Sequence, residues 1–160
     1  MLNITIICVG KLKESYWREA CAEYSKRLHS FCNFNIIEID EERIAENPSQ
    51  SQINTTITRE GERIISKIPN NSKIVAMCIE GRQRTSKKLA EEISDIAVNG
   101  CSSIVFIIGG SWGLSDEVKS KSHIRLSMSE MTFPHQLARV MLCEQIYRAF
   151  QINTGGKYHK

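Results

Sequence analysis

The stretch Ser103-Ile104-Val105-Phe106-Ile107-Ile108-Gly109-Gly110 is a continuous apolar run that stops at two glycines. Isoleucine, valine and phenylalanine favour β structure, and no polar residue alternates with them inside the run. A strand without that alternation is buried on both faces, which is typical of parallel sheets covered by helices. The run therefore predicts the central strand of a parallel sheet.

Strand-like and helix-like segments alternate outward from this run. Four further strands are predicted at residues 4–9, 34–39, 73–79 and 124–128. Helices are predicted over 14–29, 51–68 and 135–152, with another from about Ser86 and a short one opened by Ser115 as N-cap. Interleaved strands and helices predict an α/β fold whose mostly parallel sheet has helices on both faces. No repeat or linker divides the chain, so we expect a single domain over residues 1–160.

Composition and charge limit the classes of protein to consider. The chain has 160 residues, of which 41% are hydrophobic and 24% charged, as in a globular domain. No apolar run approaches the ~20 residues of a membrane helix, and the N-terminus lacks a signal-peptide pattern, so we expect a cytoplasmic protein without membrane contact. The net charge is +3, divided as −1 over residues 1–80 and +4 over residues 81–160. A phosphate-rich partner would be attracted to the second half, although a solvated basic surface is the commoner origin of so small an excess.

The metal-ligating and thiol residues show no metal-site spacing. The chain has six cysteines and four histidines, with no C-x2-C pair and no His or Cys pair at zinc-ligand spacing. Most of the cysteines lie in apolar runs, which favours buried, reduced thiols. We therefore expect no metal and no disulfide.

Two segments follow predicted strands, at the position where open α/β sheets bind ligands. The segment 107–115 has three glycines in five residues and precedes a helix N-terminus, so its backbone can approach a ligand closely. It is neither G-x-G-x-x-G nor a P-loop, and a tight strand-to-helix turn would explain it equally well. The segment 126–136 combines small and apolar residues that can surround a flat ligand, or can form an ordinary loop over the core.

Four motifs together resemble one family. They are Ile-Gly-Gly-x-x-Gly-Leu-Ser, Phe-Pro-His-Gln-Leu-Ala-Arg-Val, Glu-Gln-Ile-Tyr-Arg-Ala-Phe and the terminal Tyr-His-Lys. The opening Val-Gly-Lys-Leu-Lys belongs to the same pattern, so the resemblance spans the chain. The family is the SPOUT-class methyltransferases that methylate N3 of a pseudouridine in 23S rRNA of the large ribosomal subunit.

The resemblance implies a C-terminal trefoil knot, a homodimer and S-adenosyl-L-methionine as methyl donor. It implies an rRNA substrate within the large subunit or the assembled ribosome. By the same analogy, the cofactor would be surrounded by Met77, Gly109, Met128, Ser129, Glu130, Met131, Thr132 and Phe133.

The acceptor base would lie near Arg148, Tyr158 and His159. Our hypothesis is that Arg148 stabilises negative charge, Tyr158 positions or stacks the base, and His159 assists proton removal or contacts phosphate. Two structural alternatives stay open: Arg148 can pair with Glu144 at i,i+4, and the terminus can be a frayed end. Two rival functions also stay open, a non-catalytic ribosome-binding factor and a nucleotide-binding protein that holds phosphate at Gly109-Gly110.

Overall fold

Five strands and five helices alternate along residues 1–160, all of which the computed structural model describes. The strands are β1 (Asn3–Val9), β2 (Asn33–Ile39), β3 (Lys73–Gln83), β4 (Ser103–Ile108) and β5 (Ile124–Ser127). The helices are α1 (Ser15–Leu28), α2 (Gln50–Ser66), α3 (Ser86–Val98), α4 (Asp116–Lys121) and α5 (His135–Asn153). The predicted α/β alternation is confirmed, with most boundaries within two residues of the predicted ones.

The apolar run at 103–108 forms a central strand, as predicted. The strand order is β2-β1-β4-β3-β5, every neighbouring pair is parallel, and all six residues of β4 are buried. Phe106 lies opposite Ile6 of β1 and Val75 of β3. Because β4 is buried on both faces, an apolar side chain is favourable at each of its central positions.

Two apolar cores cover the two faces of this sheet. One core of 20 buried residues includes Ile6 and Phe106 and packs against α1, α3 and α5. A second core of 10 buried residues includes Ile7 and Ile107 and packs against α2 and α4. Successive strand residues point to opposite faces, so both cores draw on the same strands. The prediction of helices on both faces is confirmed.

Strand β3 continues past the predicted end at Ile79. It reaches Gln83 and pairs with β5 twice, with a register shift between Met77 and Arg82. The predicted end is wrong because a glycine such as Gly81 is typical of a turn that ends a strand, whereas here it lies within β3. In the fold a Cβ on Gly81 would lie 2.8 Å from the backbone of Arg125, so glycine allows the close approach of β5. The bulge at residues 78–81 faces the edge where β4 and β5 end.

The parallel arrangement gathers the loops that follow the strands at one edge of the sheet. The glycine turn after β4 leads into α4, where Ser115 Oγ accepts a hydrogen bond from the Val118 N–H at 3.2 Å, as the predicted N-cap should. The loop after β5 leads into α5, which begins directly after Pro134. The trefoil knot implied for this last third of the chain stays a prediction.

Candidate functional site

A cavity of about 700 Å³ opens at the carboxyl edge of the sheet. Three segments form most of its lining: the β3 bulge, the glycine turn after β4 and the loop after β5. Its volume lies within the range of about 300–1,000 Å³ that is typical of small-molecule sites. The two segments singled out in the sequence therefore meet in one pocket.

Seven of the eight predicted cofactor residues line this pocket. They are Met77, Gly109, Met128, Ser129, Met131, Thr132 and Phe133. Glu130 lies in the same loop but is exposed and is not part of the lining. The lining is half hydrophobic, and Met77, Met128 and Met131 give it polarisable, deformable walls.

The glycines of the turn after β4 are required by the turn itself. A Cβ on Gly109 would lie 2.7 Å from the carbonyl oxygen of Gly113, well inside contact distance. Gly113 has φ +87°, which an L side chain rarely adopts, and its N–H donates to the Gly110 carbonyl at 3.1 Å. The turn is thus folded closely on itself, and its backbone forms one wall of the pocket.

Two serines set the shape of the loop after β5. Ser127 Oγ donates to the Ser129 carbonyl at 3.0 Å, and Ser129 Oγ accepts from the Met131 N–H at 3.0 Å. These local bonds leave Met131 67% exposed at the pocket. An apolar side chain held in solvent beside a pocket is suited to cover an apolar ligand.

Polar groups of the pocket are few and include one unsatisfied atom. His135 Nδ1 is buried without a hydrogen-bond partner, and burial lowers the pKa of this ring. The neutral ring can accept or donate one bond to a ligand, so the orphaned nitrogen fits a molecule with polar edges. On the rim, Glu80 pairs with Lys119, and this contact lowers the pKa of the carboxyl group.

A buried carboxyl group that the motifs did not single out lies beneath the glycine turn. Glu60 of α2 is 3% exposed, and its Oε1 would lie 3.4 Å from a Cβ on Gly110. Its Oε2 accepts a hydrogen bond from the Glu42 N–H at 3.0 Å, and burial raises its pKa. Glu60 therefore links the turn to the loop after β2. Only its burial distinguishes Glu60 from other acidic residues, and the burial of one charged residue in a polar helix cannot be recognised from the sequence.

Arg148, Tyr158 and His159 come together with Glu144 in a second cluster, on α5 and the chain terminus. Glu144 Oε1 accepts from Arg148 Nε at 2.9 Å, from Arg148 Nη2 at 2.5 Å and from the Tyr158 hydroxyl at 3.1 Å. The Arg148 guanidinium lies 4.7 Å from the centre of the Tyr158 ring. The pairing of Arg148 with Glu144 at i,i+4 is present, and the terminus is docked onto helix α5.

The hydrogen bonds assign protonation states in this cluster. Arg148 Nη1 lies 3.2 Å from His159 Nδ1, and because a guanidinium only donates, Nδ1 is the acceptor. A neutral His159 then carries its proton on Nε2. Burial, followed by hydrogen bonds with Tyr24 and Glu144, raises the pKa of Tyr158 to about 12, so its phenol is neutral at pH 7.

The cluster and the pocket are separate within one chain. The last α5 residue that lines the pocket is Ala138, and none of the four cluster residues lines it. Arg148 lies ten residues further along α5, which at the helical rise is about 15 Å. A ligand group beside Ala138 in the pocket is therefore too far from Arg148 to contact the cluster of the same chain.

Comparison with known proteins identifies the family to which this chain belongs. The family model described as "Predicted SPOUT methyltransferase" matches residues 2–159, so the chain belongs to the SPOUT methyltransferase family. S-adenosyl-L-methionine is the methyl donor of this family.

Curated relatives match the chain from end to end. The chain is 49% identical over 159 residues to "Ribosomal RNA large subunit methyltransferase H" of Latilactobacillus sakei, covering 99% of this chain and 100% of the relative. The protein of the same name from Clostridioides difficile shows the same identity and coverage. Among solved structures, a probable methylase family protein from Haemophilus influenzae aligns with TM-score 0.55 at 14% identity, over 99% of this chain and 71% of that one, and shares the fold.

The helices and the metal-ligating side chains were considered for a membrane span and for a metal site. None of its five helices combines the length and apolar character that a membrane crossing requires. No three His, Cys, Asp or Glu side chains converge in a geometry that could hold a metal ion.

Proposed function

We propose that this protein transfers a methyl group from S-adenosyl-L-methionine to N3 of a pseudouridine in 23S rRNA, on the large subunit or the assembled ribosome. The observation that carries the proposal is the end-to-end identity of 49% with relatives named for large-subunit rRNA methylation. Because ribosomes are its substrate, the protein would act in the cytoplasm.

The pocket at the carboxyl edge is the proposed methyl-donor site. The half-buried Met77 and Met128 would contact the apolar faces of the adenine, while backbone groups of the loop after β5 bind its polar edge. His135 lines this pocket and its Nδ1 has no hydrogen-bond partner within the chain, so we assign this nitrogen one hydrogen bond to the ligand. The sulfonium of S-adenosyl-L-methionine supplies a methyl group that is already activated for transfer.

The chemistry required of the protein is alignment and stabilisation of an anion. N3 of pseudouridine is an imide nitrogen between two carbonyls; it must lose its proton, form the N–CH3 bond and release the donor as a thioether. We assign to the Arg148 guanidinium the stabilisation of the negative charge on the imide oxygens. Alignment of base and methyl group is itself worth several kcal/mol, on the order of a thousandfold in rate or more.

The other cluster residues have distinct proposed roles. Tyr158 is a neutral donor to Glu144 and presents its ring beside Arg148, which suits it to position or stack the base. His159 accepts from Arg148 through Nδ1, so its Nε2–H is directed to donate to a carbonyl or phosphate oxygen. To accept the proton from N3, His159 would first have to break the hydrogen bond between its Nδ1 and Arg148 or lose the proton on its Nε2. Glu144 binds Arg148 and Tyr158 directly, and His159 only through Arg148, so we assign it the role of a positioning residue.

The separation of cluster and pocket supports a homodimer in which each chain completes the other's site. Leu137, Met141, Glu144 and Arg148 follow one another at helical spacing on one face of α5. Leu137 and Met141 are half-exposed and do not join the core packing of the chain. This stripe, which is apolar at Leu137 and Met141, is the surface that a second copy would cover.

The spacing along this stripe fits a two-fold axis near Met141. Arg148 lies seven residues after Met141 and Pro134 seven residues before it, about 10 Å in each direction at the helical rise. Two α5 helices that pack antiparallel about this point bring the Arg148 cluster of one chain to the pocket of the other. The stripe is thus the proposed dimer interface.

Complementation between two inactive variants tests this arrangement. Gly109→Val disables the pocket and Arg148→Ala disables the cluster; mixed dimers then keep one intact composite site. For random exchange of subunits we expect the mixture to recover about a quarter of wild-type activity. A control mixture of Arg148→Ala with a chain lacking residues 158–160 should stay inactive, because both variants damage the cluster. If the first mixture also stays inactive while both variants are folded and dimeric, the site is not shared between chains.

A methyl-transfer assay tests the function itself. Labelled S-adenosyl-L-methionine is incubated with the protein and with assembled ribosomes, large subunits or naked 23S rRNA from cells that lack the modification. The proposal expects label in 23S rRNA of at least one ribosomal substrate. Tight binding of donor and ribosomes without transfer would support the non-catalytic rival, and absence of donor binding would contradict the cofactor site.

A further inference from the structure

The loop between β1 and α1 carries two exposed cations whose role the proposed site leaves open. We call residues 10–14, Gly-Lys-Leu-Lys-Glu, the basic loop. Lys11 and Lys13 are exposed, whereas Leu12 between them is buried and anchors the loop in the core. Neither lysine forms an ion pair. Alternation of buried and exposed residues thus presents two ammonium groups to solvent.

Buried hydrogen bonds fix the backbone of the basic loop. Arg139, which is 1% exposed, donates to the Gly10 carbonyl at 3.1 Å, and the Gly10 N–H donates to Ile39 at 2.8 Å. The Leu12 N–H donates to Glu38 Oε2 at 3.2 Å. A loop held in this way presents its side chains from fixed positions, so less backbone entropy is lost when a partner binds.

Arg18 adds a third anchor on the outer side of the loop. Its Nη1 donates to the carbonyl oxygens of Leu12 at 3.0 Å and Lys13 at 2.5 Å. Guanidinium groups therefore occupy the carbonyl oxygens of Gly10, Leu12 and Lys13, which would otherwise repel an anion. The surface of the loop carries the charges of Lys11 and Lys13 and, at its end, the exposed carboxylate of Glu14.

The basic loop lies beside the proposed methyl-donor pocket. It follows β1 at the carboxyl edge, and a Cβ on Gly10 would lie 4.0 Å from Cε1 of His135, a pocket residue. Of the nearby acids, Glu38 is paired with Arg139, whereas Glu14 and Glu41 are exposed, and a Cβ on Gly10 would lie 3.8 Å from Glu41 Oε2. Tyr16, in the first turn of α1, is 60% exposed and presents a flat face of the kind on which bases stack.

We infer that the basic loop binds the phosphate backbone of the RNA that carries the acceptor base, with Lys11 and Lys13 each contacting a phosphate. This inference rests on the proposed function. Two exposed lysines on a fixed backbone flank a buried leucine, and an exposed aromatic ring follows in the first turn of α1. This arrangement matches the alternation of phosphate and base along a single RNA strand. The loop thereby adds affinity outside the cluster and the pocket.

A charge-reversal pair with a matched control tests the inference. The variant K11E/K13E is compared with K26E/K67E, which changes the net charge equally at the ends of α1 and α2, on the opposite edge of the sheet. Binding to unmodified large subunits is measured over a salt series, together with S-adenosyl-L-methionine affinity and solution mass. We expect K11E/K13E to weaken subunit binding at least about tenfold and to flatten the slope of log K against log salt by about 2. K26E/K67E should leave both quantities near wild type.

The outcomes separate this inference from the proposed function. Equal loss of affinity in both variants, or an unchanged salt slope in K11E/K13E, would overturn the role of the basic loop while methyl transfer by the wild type still stands. A loss explained by a changed solution mass or by lost donor binding would also overturn it. If the wild type binds donor but neither binds nor methylates the ribosomal substrates, the proposed function itself fails.

Discussion

A methyl group added at Gly109 tests whether the glycine turn is a wall of the cofactor pocket. In Gly109→Ala the new Cβ would lie 2.7 Å from the Gly113 carbonyl oxygen, 2.8 Å from its carbon and 3.1 Å from Leu114 Cδ2. The first two atoms are backbone, so no side-chain rotation relieves the contact. The turn must move by roughly 0.7 Å to restore ordinary van der Waals distances.

The expected cost follows from that displacement. Forcing an extra methyl group into a packed site costs about 1–3 kcal/mol of unfolding free energy. Because the displaced residues line the pocket, we expect a comparable loss of ligand binding, and about 1.4 kcal/mol corresponds to a tenfold weaker affinity. Isothermal titration calorimetry with S-adenosyl-L-methionine measures the affinity, and urea unfolding measures the stability.

Gly100→Ala is the matched control for this experiment. Gly100 has φ +84°, so alanine there is strained by about 1–2 kcal/mol, but no atom lies within 4 Å of the new Cβ. Gly100 also lies just before β4, at the opposite edge from the pocket. We expect this variant to lose stability while it binds the donor normally. Wild-type affinity in Gly109→Ala, or equal weakening in both variants, would refute the assignment of the turn to the pocket.

Three further changes have definite expected results. In the wild type, docking of the tail through the protonated Tyr158 should hold below pH 10 and be lost as the pH rises toward 12. In Glu144→Gln the pKa of Tyr158 should fall, because one cause of its elevation is removed, so docking should be lost at a lower pH than in the wild type. An unchanged tyrosinate absorbance titration would contradict this. Deletion of residues 158–160 should spare donor affinity in calorimetry and abolish methyl transfer, and undiminished transfer would make the tail dispensable. Glu38→Gln should lower the free energy of unfolding, measured in urea, by about 3–5 kcal/mol, because it leaves the buried Arg139 without a counter-charge. Arg139→Met should lower it less, because Glu38, which then loses its partner, is 35% exposed to water. The reverse order of the two losses would contradict this interpretation of the pair.

Local patterns were sufficient to predict most of the elements. The apolar run of β4 and the Ser115 cap depend on neighbouring residues, and both are confirmed. The predicted end of β3 is wrong because the role of Gly81 depends on β5, which lies more than forty residues further along the chain. Contacts of that kind have no local signature.

The candidate site likewise contains contacts that local spacing predicts and contacts that depend on distant parts of the chain. The Arg148–Glu144 pair follows from helical spacing, so the sequence could indicate it. Docking of Tyr158 onto Glu144 requires the chain to turn back after α5, and the burial of Glu60 beneath Gly110 requires the packing of α2. The roles of the site residues came from the family resemblance, because neither periodicity nor charge distinguishes a cofactor loop from an ordinary one.

The identity of the modified nucleoside shows whether this protein methylates N3 of a pseudouridine. Ribosomes from cells that lack the modification are incubated with the protein and S-adenosyl-L-methionine, and the nucleosides of the 23S rRNA are separated and analysed by mass spectrometry. We expect one new nucleoside, a pseudouridine that carries a single methyl group on N3 of the base. A methyl group on ribose or on another base, or no new nucleoside in a reaction where the donor is bound, would contradict it.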